Sequence, residues 1–344
     1  MVRVMKKQYI NFLKVLSILF VINIHVLSKA WNQGVPSSLN FKLLTFIDIA
    51  FHVCVPLFAM CSGNIFLNRN DSNKKILFKY VLKIYLIFIL FSFSYRLMDL
   101  IFNQNSNITL NLALNMLKDS LLLKTIFHLW YLRVVIVLYL SIPLFKLLFK
   151  INNKYKDHII LGLLIILVKV VPIFFKSGWF LTFISIFGFI IYFYLGYYLD
   201  KYFDKKILLL FIPVAIISYY YTYTKTITSS ISLGVPIIDY MEYLSYNIMF
   251  PSIFIFLLVR KYKDIFDKEK IKKVLDFLVK YNFNVYLFHG FTIGLLSKLH
   301  VINIYSYKHV FLVFIYGLLT YLLTLLYVIP INATISKLKN IKNK

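Results

Sequence analysis

The chain has 344 residues, of which 60% are hydrophobic and 19% aromatic, and its mean hydropathy is +0.77. Its formal charge of +26 comes from 39 lysines and arginines against 13 acidic residues. The cations lie in loops between apolar runs rather than on one soluble face. The composition therefore excludes a soluble globular protein, and it gives no support to a nucleic-acid partner.

Apolar runs long enough to cross a bilayer recur from end to end. Lipid offers no partners for backbone polar groups, and the runs do not alternate in polarity as barrel strands would, so we expect helices. The sequence predicts an all-α, polytopic transmembrane helix bundle of about ten spans in a single domain, 1–344. We place the spans at 8–28, 43–67, 76–102, 129–149, 158–175, 179–199, 206–224, 243–260, 282–299 and 308–334.

The distribution of loop charge predicts that both chain ends face the cytoplasm, because most lysines and arginines then fall on the inner side. We expect a multi-pass protein of the plasma membrane. Two further segments have the pattern of amphipathic helices. Segment 106–127, which is apolar at helical spacing, would be an interfacial helix on the outer face or a re-entrant segment, and segment 263–281, which is basic, would lie on the cytoplasmic surface. The basic segment would contact anionic membrane lipid, or alternatively an anionic substrate that carries a nucleotide.

The first span contains two ionisable residues, Lys14 and His25, with ten residues between them. On a helix they lie within about 20° of the same face and about 16 Å apart along the axis. Ionisable groups inside a span usually mark a functional site. We predict that His25 is catalytic and that Lys14 meets an anion. The alternative is that Lys14 snorkels toward water and His25 bonds a neighbouring helix.

The second span contains Asp48 and His52 one helical turn apart. A carboxylate beside an imidazole fixes its tautomer and raises its basicity. We therefore predict a catalytic role for Asp48, whose partner is either His52 or His25. Its two cysteines, Cys54 and Cys61, are too far apart on one helix for a disulfide. No spacing of Cys and His matches a zinc site, and no metal is predicted.

Further cations and aromatic residues are candidates for substrate binding. Arg69, Lys79 and Lys83, together with Lys14, would hold phosphate groups, although anchoring at the membrane interface also explains them. Trp130 and Arg133 open the fourth span, where Arg133 is deep enough to need a partner such as Asp48 or Glu242. His289, in the ninth span, completes the set of predicted substrate-binding residues.

Four motifs in order make the whole chain resemble the acyltransferase-3 family of membrane proteins. Lys14 and His25 match the family's pattern of Arg or Lys, ten residues and His, within FLKVLSILFVINIHV. Its second-helix signature resembles VPLFAMCSG, its His-x-Trp element resembles HLWYL, and its late Tyr-Leu-x-His element resembles NVYLFHG. The family often has Arg at Lys14, and an Arg pair where this chain has Lys79 and Lys83.

The resemblance implies transfer of an acyl group, usually acetyl, from cytoplasmic acyl-CoA to a hydroxyl of an extracytoplasmic glycan. His25 would be the catalytic histidine, acting as a base or carrying the acetyl group itself. Acetyl-CoA would be a substrate, with no cofactor. The partners would be acyl-CoA, a surface or lipid-linked glycan and membrane lipid, and a homo-oligomer is compatible with this function. The alternatives are an exporter or flippase of polysaccharide intermediates and a non-catalytic partner of a glycan synthase.

Overall fold

A computed structural model describes residues 7–101, 109–124, 126–175, 177–301 and 310–342. Every regular element within these ranges is a helix. The prediction of an all-α fold is confirmed. The predicted boundaries at 102 and 308 lie outside the described residues.

The described part of the chain forms sixteen α-helices, and two of its spans also contain a π-helical segment, at Ile76–Val81 and at Ile166–Val170. The first eight are α1 (Gln8–Asn32), α2 (Leu39–Phe51), α3 (Cys54–Phe66), α4 (Asn73–Lys75), α5 (Leu82–Asp99), α6 (Leu110–Leu121), α7 (Trp130–Phe149) and α8 (Lys156–Ile165). The others are α9 (Val171–Phe174), α10 (Gly178–Phe187), α11 (Ile190–Lys201), α12 (Lys205–Leu233), α13 (Tyr246–Lys261), α14 (Lys263–Phe266), α15 (Glu269–Lys298) and α16 (Phe311–Lys342).

Nine helical segments of the described chain are long and apolar enough to cross a membrane. They correspond in order to nine of the ten predicted spans, with ends that differ by at most four residues except that the predicted span 206–224 continues to Leu233. The nine segments are Gln8–Asn32, Leu39–Phe66, Asn73–Asp99, Phe127–Phe149, Lys156–Phe174, Gly178–Lys201, Lys205–Leu233, Asp239–Lys261 and Phe311–Thr334.

The remaining predicted span, 282–299, forms the second half of α15 and is too polar to be counted among the nine. The sequence predicted a separate basic helix before it, whereas the structure continues as one helix from Glu269. A physical reason is that no glycine or proline occurs between Glu269 and His289. The low hydropathy has a reason too, because polar residues such as Asn282 and Thr292 are buried against neighbouring helices.

Helices α1 and α15 run side by side in the same direction. At one end, Gln8 and Asn11 donate side-chain hydrogen bonds to Asp276, at 3.4 and 3.3 Å. Further along, Asn282 donates to the backbone carbonyl of Lys14 at 2.7 Å. Contacts that advance along both helices in the same order require a parallel pair. This direction agrees with the ten-span prediction, in which the first and ninth spans cross the membrane the same way.

The second span is interrupted between α2 and α3. Pro56 has no backbone N–H, and its ring would collide with the carbonyl four residues earlier, at His52. Helix α2 accordingly ends at Phe51, and His52 caps it with its backbone N–H directed to Asp48 and Ile49. The interruption places His52 at a helix end inside the span.

The predicted amphipathic segment 106–127 is helical over α6, and its residues before 109 lie outside the described chain. Met116 and Ser120 are its buried residues, and the Ser120 hydroxyl donates to Ser92 of α5 at 3.2 Å. Asp119 forms ion pairs with Arg96 of α5, at 3.5 Å, and with Lys124, at 2.8 Å. These contacts hold α6 along α5.

The described chain divides into two compact units. The first covers Ala59–Lys201, and the second combines the residues up to Phe58 with those from Tyr202 onward. In the second unit, α1 packs against α2, α13, α15 and α16. In the first unit, α7 packs against α5, α8, α10 and α11.

Two glycines bring the backbones of α3 and α11 into direct contact within the first unit. A Cβ on Gly63 would lie 1.6 Å from the Phe193 carbonyl oxygen, and one on Gly196 would lie 1.8 Å from the Met60 carbonyl oxygen. Asn64 adds a hydrogen bond to the Gly196 carbonyl at 3.1 Å. Small residues permit such close approach of membrane helices, which here leaves no room for any side chain.

We expect Gly63→Ala to destabilise the protein, because the added methyl group must push two backbones apart. Overpacking in a well-packed core costs about 1–3 kcal/mol or more. Thermal unfolding of the purified protein in detergent, followed by the loss of the monodisperse fraction, measures the effect.

Gly162→Ala is the matched control, because a Cβ at Gly162 of α8 would have no described atom within 4 Å apart from its chain neighbours and the backbone of its own helix. This variant should be as stable as the wild type, or slightly more so, since alanine favours helix over glycine. Equal unfolding temperatures for Gly63→Ala and Gly162→Ala would contradict the described contact between α3 and α11.

Candidate active site

His25 and His289 lie together in the second unit. Their ring centroids are 5.4 Å apart with the ring planes tilted by 34°. A ring nitrogen of His25 lies within 4.8 Å of a ring nitrogen of His289. His289 is completely buried and His25 is half-buried. The structure therefore brings together a predicted catalytic residue and a predicted substrate-binding residue, through the parallel packing of α1 and α15.

The hydrogen bonds of His289 define its tautomer. Its Nδ1 lies 2.7 Å from the Tyr286 carbonyl oxygen and 3.3 Å from that of Val285. A carbonyl oxygen only accepts, so Nδ1 carries the proton and Nε2 carries the lone pair of the neutral ring. The second nitrogen of His289 is thus a proton acceptor inside the bundle.

Asp48 and His52 form a buried pair on α2 and its C-terminal cap. The Asp48 carboxylate lies 3.4 Å from the His52 Nδ1, which also donates to the Asp48 backbone carbonyl at 2.9 Å. The sequence left two partners open for Asp48, and the structure places His52 within ion-pair distance of its carboxylate. The Asp48 carboxylate also interacts electrostatically with His25, so its negative charge stabilises a proton on either ring.

Two tyrosines lie against these histidines: Tyr243 against His52 and Tyr286 against His289. The Tyr243 ring stacks on His52, with 5.4 Å between ring centroids, and its hydroxyl is hydrogen-bonded to the Cys54 thiol. The Tyr286 ring centroid lies 6.0 Å from that of His289. We call His25, His289, Tyr286, Tyr243, His52 and Asp48 the histidine cluster. Its imidazoles, hydroxyls and carboxylate suit general acid–base chemistry.

Lys14 lies on the same helix as His25, about 16 Å away along the axis at 1.5 Å per residue. Its side chain is half-buried. Asn282 of α15 binds its backbone carbonyl, so Lys14 and His25 both lie where α1 faces α15. The predicted shared face of Lys14 and His25 is therefore present, whereas binding of an anion by Lys14 stays a prediction.

In the first unit, Arg69 belongs to a cluster of charges around Asp71. Its Nε lies 3.0 Å from Asp71 Oδ2, and its guanidinium packs over the rings of Phe66 and Tyr80. The Asp71 carboxylate also accepts hydrogen bonds from Lys75 and, at 2.8 Å, from the Tyr80 hydroxyl. Arg69 thus already pairs with a negatively charged group, the Asp71 carboxylate.

Asp71 remains ionised at neutral pH. Burial by itself raises the pKa of this carboxyl, but the hydrogen bonds from Lys75 and Tyr80 and the charges of Arg69 and Lys75 outweigh burial and lower the pKa below its ordinary value. An acid with a lowered pKa stabilises the fold above its ordinary pKa and loses that effect as the pH falls through the lowered value. The charge cluster is therefore intact at physiological pH.

Lys79 and Lys83 are exposed, next to the exposed apolar side chains of Phe78 and Leu82. The structure does not place them in the cluster around Asp71, because their spacing of four residues puts both on the outward side of the same helix. Their predicted role in substrate binding stays a prediction.

Trp130 and Arg133 lie in the first turn of α7. The Trp130 ring packs against Phe189, with 5.9 Å between ring centroids. Arg133 is half-buried, and in the described part of the chain its buried Nε has no hydrogen-bond partner. A guanidinium with an unused donor is suited to a substrate oxygen or a developing negative charge.

Comparison with protein families identifies the chain. A family model described as an acyltransferase domain matches residues 7–329. The chain belongs to the acyltransferase-3 family. Comparisons with curated proteins and with solved structures give no match. The resemblance drawn from the four motifs is confirmed, and the protein is a multi-pass membrane acyltransferase.

Within this acyltransferase, the sequence did not single out Tyr243 and Lys146, and it included Tyr286 only as part of the motif NVYLFHG, with no role of its own. Tyr286 had a usable signal, because it precedes His289 by three residues and therefore lies on the same face of α15. Tyr243 had none, since it precedes α13 and meets His52 only through the tertiary fold. Lys146 resembled an ordinary basic residue in the last turn of a span, although its amine donates to the Asp71 carbonyl.

Proposed function

We propose that this acyltransferase moves an acetyl group from acetyl-CoA to a hydroxyl of a cell-surface glycan, with His25 as the general base. The observation that carries the proposal is the pairing of His25 with His289, inside a membrane protein of the acyltransferase-3 family. A general base must be neutral and must reach the proton that it removes. A second imidazole at this distance, with a defined tautomer, provides a place for that proton.

The proposed reaction is a direct transfer. His25 removes the proton from the acceptor hydroxyl, and the resulting oxygen attacks the thioester carbonyl. The tetrahedral intermediate collapses with cleavage of the C–S bond, and the departing thiolate of CoA takes the proton back from the imidazolium. Asp48 stabilises that imidazolium through its negative charge, and Arg133 is the residue that we propose for stabilising the oxyanion or binding the sugar.

We propose that the donor approaches from the cytoplasm and the acceptor from outside. The separation of Lys14 and His25, about 16 Å, is comparable to an extended pantetheine arm. Lys14, Arg69, Lys79 and Lys83 would contact the phosphates of the donor, and Trp130 would contact the acceptor sugar. The distribution of loop charge supports the plasma membrane and this orientation.

Membership in an acyltransferase family favours this function over an exporter or flippase. The two functions differ in what the cell surface loses. If His25→Gln cells still export polymer that lacks acetyl groups, the protein is a transferase; if they export no polymer, it is a transporter. Nuclear magnetic resonance of surface glycans, which detects O-acetyl groups, distinguishes the two results.

We expect His25→Gln to lower acetyl transfer by at least about 100-fold, because general base catalysis contributes about 10²–10⁴-fold. Glutamine keeps hydrogen-bonding capacity but takes no proton at neutral pH. Transfer of labelled acetyl from acetyl-CoA to surface glycan, in membranes with matched protein levels, measures the loss.

His158→Gln is the control for a histidine outside the cluster, since His158 is exposed and its ring nitrogen contacts Tyr198. It should transfer acetyl at the wild-type rate. Full transfer by His25→Gln would refute the assignment of the base.

Asp48→Asn should lower transfer by about 10-fold or more while the protein still folds, because it removes a charge near two imidazoles and keeps the size of the side chain. Asp239→Asn, in an exposed acid of the same unit, serves as the matched control. The rate should also shift in its dependence on pH for Asp48→Asn alone. Identical pH profiles for the two variants would show that Asp48 has no electrostatic role.

A further inference from the structure

An open cavity of about 630 Å³ lies between the segment 67–73 and the end of α7. Three cationic side chains line it: Arg69, Lys146 and Lys150. Asp71 is the only acid among the residues that line the cavity, and three of the others, Asn68, Asn70 and Asn73, have amide side chains. Pockets that bind small molecules typically enclose about 300–1,000 Å³, so the cavity has the size of a small-molecule site.

The cavity is strongly positive. Lys75 also reaches the Asp71 carboxylate from beside the lining. The four cationic side chains and the single carboxylate therefore give the cavity a net charge of +3. Concentrated positive charge within a concave site attracts polyanions. The combination of Arg with several Lys side chains and amide groups is the chemistry that binds phosphate.

Asp71 occupies the position that an anion would take among these cations. One carboxylate oxygen accepts from Arg69, at 3.0 Å, and from Tyr80, at 2.8 Å, while the other accepts from Lys75. Its backbone carbonyl accepts from the Lys146 amine. A phosphate group presents more oxygens and more charge than a carboxylate, and it can replace Asp71 as the partner of Arg69 and Lys75.

We propose that this cavity binds the phosphates of a nucleotide, and that Asp71 holds the cations in position until those phosphates replace its carboxylate. The choice of nucleotide rests on the proposed function: it is the adenosine bisphosphate half of the acyl donor. The headgroup of a phospholipid carries the same charged group, so lipid is the other possible source of the bound phosphate to test. The amide side chains of Asn68, Asn70 and Asn73 provide hydrogen bonds for a base or a ribose, which lipid phosphate lacks.

The test measures binding of adenosine 3′,5′-bisphosphate to the purified full-length protein by calorimetry. This probe has no thioester, so binding does not depend on catalysis. Lys146→Gln should raise the dissociation constant by about 10-fold or more, because a hydrogen bond between charged groups is lost. Lys154→Gln removes the same charge from an exposed position outside the cavity and should change the constant less than twofold.

Asp71→Asn tests whether Asp71 is a placeholder, meaning a residue whose carboxylate is replaced by the phosphate of the ligand, or a purely structural residue. A placeholder competes with the ligand, so its neutralisation should tighten nucleotide binding by about fivefold while it lowers the unfolding temperature. A structural residue would lower both the affinity and the unfolding temperature. Weaker binding by Asp71→Asn would overturn the placeholder role.

Equal effects of Lys146→Gln and Lys154→Gln, or no binding of the nucleotide to the wild type, would overturn the nucleotide site. Nanodiscs with and without phosphatidylglycerol test the other source of phosphate. Retention of that lipid that depends on Lys146, without nucleotide binding, would overturn the assignment to the acyl donor. Nucleotide binding in a protein that transfers no acetyl would leave the site standing and reject the proposed function instead.

Discussion

The parallel packing of α1 against α15 determines the geometry of the candidate active site. Between apolar helices in lipid, the hydrophobic effect does not select one helix face over another, and polar contacts have more influence on register. Here Asn11 meets Asp276, and Asn282 meets the Lys14 carbonyl. A shift of one turn would break these contacts and carry His25 away from His289. The hydrogen bonds near one end of the pair therefore specify the histidine pair further along.

Two histidines of the cluster are oriented by the same device. His52 and His289 each donate Nδ1–H to a backbone carbonyl of the preceding helical turn. For His52 that carbonyl also accepts the backbone N–H of His52 itself, where α2 ends. In its neutral form each ring therefore presents Nε2 as an acceptor, and neither needs a second side chain to hold its tautomer. The Asp48 carboxylate can then act through its charge rather than as an orienting group alone.

The sequence was sufficient for features that depend on composition and local order. Apolar length predicted nine spans that the structure contains, and helical spacing predicted the shared face of Lys14 and His25. The family followed from four short motifs. The second half of α15 shows the limit of hydropathy, because the polar residues that face other helices there make a predicted span less apolar than its neighbours.

Contacts between distant segments were beyond the sequence. Helical spacing alone allowed Asp48 to pair with His52, whereas the position of His25 relative to Asp48 depends on how α1 packs against α2. Lys79 and Lys83 had the spacing of a phosphate site, yet their shared face is exposed. Lys146 is 75 residues from Asp71 along the chain, so no local pattern could connect them.

The length of α15 has a mechanical consequence. Its 30 residues extend over about 45 Å, whereas the hydrocarbon core of a bilayer is about 30 Å thick. One end must therefore stand in the aqueous phase, and the charged first turns from Glu269 are suited to that position. No glycine or proline interrupts the helix before His289. A tilt or displacement of the charged end that begins at Glu269 would therefore also move the His289 imidazole, because the helix moves as one rigid element.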